Sequence, residues 1–237
     1  MQRLRIRYAK RGRLRFTSHR DFGRAFERAL RRAAVPMAYS SGYSPHPRIS
    51  YANACSTGAA SEAEYLEIGL REVRDPDEVR VALDGAMPDG LDVLEVVPLG
   101  AGPPLADRLE ASHWTVALPG VAPELARAAV GSFLAATSVE VERMTKKGRR
   151  RFDCRPAVVR LVVASERVDH TECAILDLVV RHGTPSVRPD DVLAGLREVA
   201  GLSPPAPPQQ TRLAQGPLDL EHGTVGDPLG SDRDASA

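Results

Sequence analysis

Apolar and polar residues alternate at the start of the chain. Every second residue from Leu4 to Tyr8 is apolar, and the positions before and between them are Arg3, Arg5 and Arg7. A period of two predicts a β-strand with one face in a core and the other in water. We therefore expect this strand to present a basic face to solvent.

A helical period follows the first strand. Between residues 19 and 34 apolar side chains recur every three or four positions. Ser18 and Asp21 have the spacing of an N-terminal helix cap, and Pro36 marks the end of the predicted helix. The other helical positions carry five arginines, which are Arg20, Arg24, Arg28, Arg31 and Arg32.

The rest of the first half continues an α+β pattern. Alternation predicts strands near residues 49–54 and over residues 63–70 and 91–98, and the sequence Asp-Pro-Asp from Asp75 predicts the start of a helix. The order strand, helix, strand, strand, helix, strand is typical of a ferredoxin-like domain. We predict such a βαββαβ domain over residues 1–99.

The second half repeats this order after a linker rich in Gly and Pro. The pattern predicts strands over residues 113–118, 139–144, 157–164 and 173–181 and helices over residues 123–135 and 189–200. We predict a second ferredoxin-like domain over residues 108–202, with an extra strand pair and no obvious closing strand. Low-complexity sequence predicts a disordered tail over residues 203–237. The predicted fold class is α+β, with two tandem ferredoxin-like domains.

Composition narrows the class of protein. The net charge is +1, and the three cysteines contain no CxxC pair, so we expect no metal or cofactor in this chain. Motifs for phosphate loops, dinucleotides, metalloproteases and hydrolases are missing from the sequence. A charged N-terminus and the lack of an 18-residue apolar run predict a cytoplasmic protein with no membrane partner.

Positive charge is concentrated at the N-terminal end. Residues 1–50 contain thirteen Lys or Arg and two acids, Asp21 and Glu27, which favours an anionic partner. The first basic cluster joins the strand and helix arginines to His46 and Arg48. The second basic cluster comprises Lys146, Lys147, Arg149, Arg150 and Arg151. Both clusters predict binding to phosphates or a nucleic-acid backbone, and a merely solvated charged surface is the alternative.

Two histidines and three tyrosines lie among these charges. His19 begins the arginine-rich helix and His46 stands between two prolines. Both are candidates for general acid–base catalysis, with a non-catalytic phosphate contact as the alternative. The tyrosines at positions 39, 43 and 51 are candidates for stacking on bases, or for the core.

Several segments carry a resemblance to a known family. FTSHRD at Phe16–Asp21 precedes the arginine-rich helix, SGYSPHPRIS at Ser41–Ser50 follows it, and RHGTP at Arg181–Pro185 comes later. On these segments the chain resembles the uncharacterised radical-SAM-linked protein family over roughly residues 1–200. The residues that the resemblance singles out as motif positions are Ser18, Asp21, Gly42, Pro45, Pro47, Asp153, Arg155 and Pro156.

The resemblance implies a partner. Members of that family occur as free-standing proteins or as the C-terminal portion of a radical S-adenosylmethionine enzyme, so the partner would carry the iron–sulfur cluster and S-adenosylmethionine. The sequence specifies neither the anionic ligand nor the oligomeric state. Our leading hypothesis is a non-catalytic accessory module that binds RNA or presents a substrate during modification of an RNA or ribonucleoprotein. The alternatives are an RNA-processing enzyme that uses His19 or His46, and a protein-interaction adaptor.

Overall fold

The computed structural model describes residues 1–145, 148–164 and 173–234. It divides the chain into two compact units, which are Met1–Arg108 together with Asp227–Ala237, and Leu109–Gly226. We call them unit 1 and unit 2. Both mix helices with strands, as the sequence predicts. In the described ranges no helix has both the length and the apolar composition needed to cross a bilayer.

The helices and strands account for most of the described chain. In order they are β1 (Gln2–Lys10), α1 (His19–Arg32), β2 (Ile49–Ala52), β3 (Ala60–Leu70), α2 (Pro76–Asp84), β4 (Val93–Pro98), α3 (Leu105–Arg108), β5 (Ala111–Pro119), α4 (Pro123–Ala135), β6 (Glu140–Thr145), β7 (Gly148–Asp153), β8 (Val158–Ala164), β9 (Cys173–Arg181), α5 (Pro189–Ala200), β10 (Gln209–Gly216), β11 (Leu218–Asp219), β12 (Thr224–Val225) and α6 (Gly230–Asp234).

In unit 1 the strands are antiparallel and lie in the order β4-β1-β3-β2. The apolar stripe of α1 packs into the core of this unit. The ring of Phe22 stacks on Tyr8 of β1 at 4.3 Å, and Phe26 follows at 5.8 Å from Phe22. Because a helix buries only one stripe, the arginines of α1 are left on its outer faces.

The prediction of a solvent-exposed basic face on β1 is wrong at Arg5, whereas Arg3 is exposed. The side chain of Arg5 is 2% exposed, and its guanidinium pairs with Glu67 at 2.9 Å and with Asp232 at 2.6 Å. Arg3 also pairs with Glu67, at 2.7 Å, and Arg7 donates to the carbonyl of Glu62 at 2.9 Å. Alternation identified the strand correctly, but it cannot distinguish water from carboxylates as the neighbour of a charged side chain.

Unit 2 also has four antiparallel strands in the order β10-β5-β9-β8. Two further strand pairs, β6 with β7 and β11 with β12, are separate from them. The strand predicted over residues 139–144 corresponds to β6 of the first pair. The strand β10, which pairs with β5, lies inside the tail that the sequence predicts to be disordered. That prediction is wrong because β10 pairs with β5 along Gln209–Gly216. The residues of β10 are mostly polar and show no alternation of apolar and polar positions, so the sequence did not indicate a strand. Two of these polar residues, Arg212 and Gln215, are nevertheless buried.

The described end of the tail is ordered too, and it belongs to unit 1. Asp232 of α6 has no exposed surface and lies between two arginines, Arg5 and Arg108, with the Arg108 Nη1 atom at 2.8 Å. The backbone N–H of Gly100 donates to the same carboxylate at 2.9 Å. Arg108 further donates to the hydroxyl of Ser231 at 2.9 Å. Buried charges persist only when paired and hydrogen-bonded, so these contacts fix α6 in place.

Two glycines in the helices of unit 2 should respond in opposite ways to alanine. A Cβ at Gly195 of α5 would lie 2.7 Å from Phe133 and 2.8 Å from Val139, whereas one at Gly131 of α4 would meet nothing within 4 Å. We expect Gly195→Ala to lower the free energy of unfolding by about 1–3 kcal/mol through overpacking. Gly131→Ala should raise it by about 0.5–1 kcal/mol. Urea unfolding of both variants tests this pair, and equal effects would contradict the close helix packing.

Candidate nucleic-acid interface

The arginines of α1 form an exposed row. Arg20, Arg24, Arg28 and Arg31 are all exposed. Arg24 lies 4.0 Å from Asp21, at the limit of an ion pair. The other three have no salt bridge to any residue in the described part of the chain. Such a row keeps its charge available for an anionic ligand.

The start of α1 is built by a cap. The hydroxyl of Ser18 accepts from the backbone N–H of Asp21 at 3.2 Å and donates to its carboxylate at 2.6 Å. These two motif residues therefore fix where the helix begins. His19 follows the cap, and its ring meets that of Tyr51 edge-to-face at 4.7 Å. Burial, followed by the charge of Glu27, raises the pKa of Tyr51 to about 12.

The loop after α1 that contains Pro45 and Pro47 forms a short hairpin over residues 38–48 rather than an open turn. The backbone N–H of Ser40 donates to the carbonyl of His46 at 2.8 Å, and the N–H of His46 donates to the Ser40 hydroxyl at 3.0 Å. The backbone N–H of Arg48 donates to the carbonyl of Ala38 at 2.8 Å, and the N–H of Ala38 donates to the carbonyl of Gly69 in β3 at 2.7 Å. The loop is thus attached to the end of β3.

The tip of this hairpin is exposed and conformationally restricted. Gly42 has φ +137°, a conformation that side chains rarely allow. Pro45 and Pro47 fix φ on either side of His46, and the backbone of Pro47 bridges to Tyr39. Both His46 and the fully exposed Tyr43 face solvent. A pre-shaped loop loses little entropy when it binds.

A groove of about 380 Å³ lies between the hairpin and the C-terminal half of α1, and we call it the loop groove. Two of its buried members, Leu30 and Met37, belong to the core of unit 1 and so form its inner end. The exposed members are at its rim. They are Arg31 from α1, Tyr39, Pro45 and His46 from the hairpin, and Arg71 after β3.

Arg48 does not line the loop groove. It lines a second depression of about 330 Å³ together with Arg3 and Glu67. Its Nε atom donates to the carbonyl of Tyr39 at 3.3 Å, and its Nη1 atom lies 3.7 Å from the sulfur of Met1. The loop motif therefore divides His46 and Arg48 between two depressions. The strand arginine Arg5, also placed in the first basic cluster, is buried away from both.

The second basic cluster lies on the hairpin of β6 and β7. Arg149 lies 4.0 Å from Glu142, and Arg151 pairs with Glu140 on the neighbouring strand. Arg150 is exposed, faces Arg143 across the hairpin, and has no salt bridge within the described residues. Lys146 and Lys147 lie outside the described residues. The carboxylates of Glu140 and Glu142 on β6 thus offset part of the positive charge that the arginines of β7 were predicted to present.

The motif residues next to this hairpin have local structural contacts. The carboxylate of Asp153 accepts from the backbone N–H groups of Val139 at 2.8 Å and Arg155 at 2.9 Å. Burial alone would raise its pKa, but these donors lower the pKa of Asp153 below the ordinary value. Arg155 donates to the carbonyls of Val158 and Leu134. Pro156 lies in a short 3-10 helix, so this motif closes the end of β7.

His182, in the RHGTP segment, should make unit 2 sensitive to acid. Its Nδ1 atom is 2.7 Å from the carbonyl of Leu109 and its Nε2 atom is 3.1 Å from the Ser112 hydroxyl. Burial lowers the pKa of His182 below its usual 6.5. The imidazole of His182 therefore binds a proton more readily in the unfolded chain than in the folded protein. Its contribution to the free energy of unfolding is fully present above about pH 6.5 and is lost as the pH falls through the folded pKa. Denaturant unfolding between pH 7.5 and 5 should show this loss, and His182→Gln should flatten it. Equal slopes for the two proteins would contradict the assignment.

Fold and surface together define an α+β protein with an exposed arginine row beside a rigid, proline-bounded hairpin. Residues 3–189 match a family described as "Uncharacterized protein conserved in bacteria (DUF2344)". The chain belongs to this family. No curated protein matches the chain.

Solved structures also match. One of them is described as "Crystal Structure of an Unknown Protein from Galdieria sulphuraria", with 13% sequence identity, coverage of 89% of this chain and 98% of that one, and a TM-score of 0.25. At that score the likeness supports no argument about fold or function.

Sequence reasoning missed parts of this site. Arg71 and Met37 were not singled out, because each enters the loop groove through pairing that joins Pro36–Met37 to Leu70–Arg71. Nothing in the local sequence of either residue points to a groove.

Proposed function

We propose that this protein is a non-catalytic accessory module that binds single-stranded RNA through unit 1. The observation that carries the proposal is the exposed row of Arg20, Arg24, Arg28 and Arg31 on α1, three of which have no ion pair within the described residues. Unpaired arginines on one helix suit phosphates spaced along a backbone. The hairpin beside them supplies the ring of Tyr39 and the imidazole of His46 for bases.

We further propose that each unit is a ferredoxin-like domain. The order of elements in unit 1 and the strand order β4-β1-β3-β2 support this assignment. In unit 2 the order β10-β5-β9-β8 corresponds to it, with the β6–β7 hairpin as an insertion. Domains of this class include RNA-binding sheets, but a shared fold does not imply a shared function, and the RNA-binding role rests on the arginine row.

The proposal includes a partner. On the resemblance described above, the module would work in the cytoplasm beside a radical S-adenosylmethionine protein that carries the iron–sulfur cluster. This chain would hold the RNA or ribonucleoprotein while the partner carries out the modification. The positive surface of α1 and the hairpin supports a role in holding an anionic substrate.

Capture of the tagged protein from its native cells, with and without nuclease, tests this function together with titration of purified protein. We expect RNA to be recovered and the purified protein to bind single-stranded RNA with an affinity that falls steeply as salt rises. No salt-dependent binding, even with the partner present, would refute the proposal. Recovery of a partner without RNA would favour the adaptor. RNA cleavage that is lost in His19→Ala or His46→Ala would favour the enzyme.

A further inference from the structure

The loop groove combines three kinds of group that recognise a base. Its inner end is apolar, through Leu30 and Met37, and its rim carries the exposed ring of Tyr39. A half-buried carboxylate, Glu27, also lines it. A volume of about 380 Å³ is at the lower end of the roughly 300–1,000 Å³ typical of small-ligand pockets. This size suits one nucleotide rather than a folded segment of a partner protein.

The charges of the groove are arranged with positive groups at the rim. Arg31 and Arg71 are both exposed, and the ion pair of Arg71 with Glu72, at 3.3 Å, joins two side chains that are more than half exposed. An exposed pair of that kind contributes little and leaves Arg71 available to a ligand. The negative group Glu27 is more buried than these arginines. A ligand that fits therefore has an anionic part outside and a hydrogen-bond donor inside.

We infer that the loop groove takes one unstacked nucleobase of a single-stranded RNA, an inference that rests on the proposed function. The base enters toward Leu30 and Met37 and stacks on Tyr39. Its adjoining phosphates lie against Arg31 and Arg71 at the rim. Unpaired bases in RNA are commonly bound by aromatic stacking combined with contacts to their edges.

Glu27 determines which base is preferred. A carboxylate accepts hydrogen bonds and repels carbonyl oxygens, so it favours a base whose edge carries an amino group. Cytosine has an amino group at the position where uracil has a carbonyl oxygen. The groove therefore prefers cytosine to uracil, and the discrimination resides in one side chain.

Fluorescence titration with labelled oligocytidylate and oligouridylate of about ten nucleotides tests this assignment. We expect Tyr39→Ala to weaken binding about tenfold, with no change in the slope of affinity against salt because no charge is removed. Tyr39→Phe keeps the ring and should bind within about twofold of the wild type. The matched control is Tyr43→Ala, which removes a fully exposed ring of the same hairpin that does not line the groove.

The base preference provides a second measurement. Oligocytidylate should bind at least about fivefold more tightly than oligouridylate, and Glu27→Gln should reduce this ratio toward one. If the wild type binds RNA but Tyr39→Ala and Tyr43→Ala bind equally well, the groove is not the base site and only this inference is overturned. If the wild type binds neither RNA at low salt, the inference and the proposed function are both overturned.

Discussion

Replacement of Asp232 by alanine is expected to lower the free energy of unfolding of unit 1 by about 3–5 kcal/mol. The substitution leaves two arginines, Arg5 and Arg108, buried without their shared carboxylate. It also removes the acceptor for the N–H of Gly100. An unpaired charge in the interior costs far more than a surface ion pair contributes. For a domain of this size the shift in Tm should be at least about 10 °C.

The control for this experiment is Asp234→Ala. Asp234 lies in the same short helix and carries the same charge, but it is exposed. Its replacement should change the free energy of unfolding by less than about 0.5 kcal/mol. Asp232→Asn, which keeps the shape and removes the charge, should fall between the two. If Asp232→Ala and Asp234→Ala unfold at the same denaturant concentration, α6 does not stabilise unit 1.

Replacement of both Arg24 and Arg28 by glutamine is expected to weaken binding of single-stranded RNA about 10- to 100-fold at low ionic strength. Both side chains are exposed, and only Arg24 lies near a carboxylate, at 4.0 Å. Each lost phosphate contact should lower the slope of log affinity against log salt by about 0.7, so the slope should fall by roughly 1.4. The stability of the protein should stay within about 0.5 kcal/mol of the wild type.

A matched double variant separates this effect from a loss of overall charge. Arg127→Gln with Arg197→Gln removes the same charge from exposed positions on α4 and α5, where the arginines lie 3.2 Å and 3.8 Å from glutamates. It should bind RNA like the wild type, with the same slope. Comparable weakening by both double variants would mean that binding follows net charge and not the row on α1.

The sequence predicted the elements of unit 1 well for a physical reason. The helix expected over residues 19–34 is α1, His19–Arg32, because a single apolar stripe and the cap at Ser18 both mark it. Alternation likewise identified β1. The environment of Arg5 could not be predicted, since its partner Asp232 is more than two hundred residues away in the chain.

The candidate site was predicted in outline only. Pro45, His46 and Pro47 stood out because their residue types restrict the backbone, and the structure places them at the tip of a hairpin. The groove itself depends on pairing between that hairpin and the end of β3, which no local pattern specifies. The order of β10 was missed because its residues are mostly polar and its stability comes from backbone hydrogen bonds to β5.

The position of α6 has a consequence for the way the chain is made. Unit 1 begins at the N-terminus, yet the carboxylate that neutralises Arg5 and Arg108 is Asp232, which follows the whole of unit 2 in sequence. A ribosome synthesises about 5–20 residues per second, so the first unit to be synthesised waits roughly ten seconds for its last ion pair. During that interval unit 2 is being synthesised, and unit 1 holds Arg5 and Arg108 in an interior that lacks the carboxylate they share. The ion pairs of unit 1 with Asp232 can therefore form only after the whole of unit 2 has been synthesised.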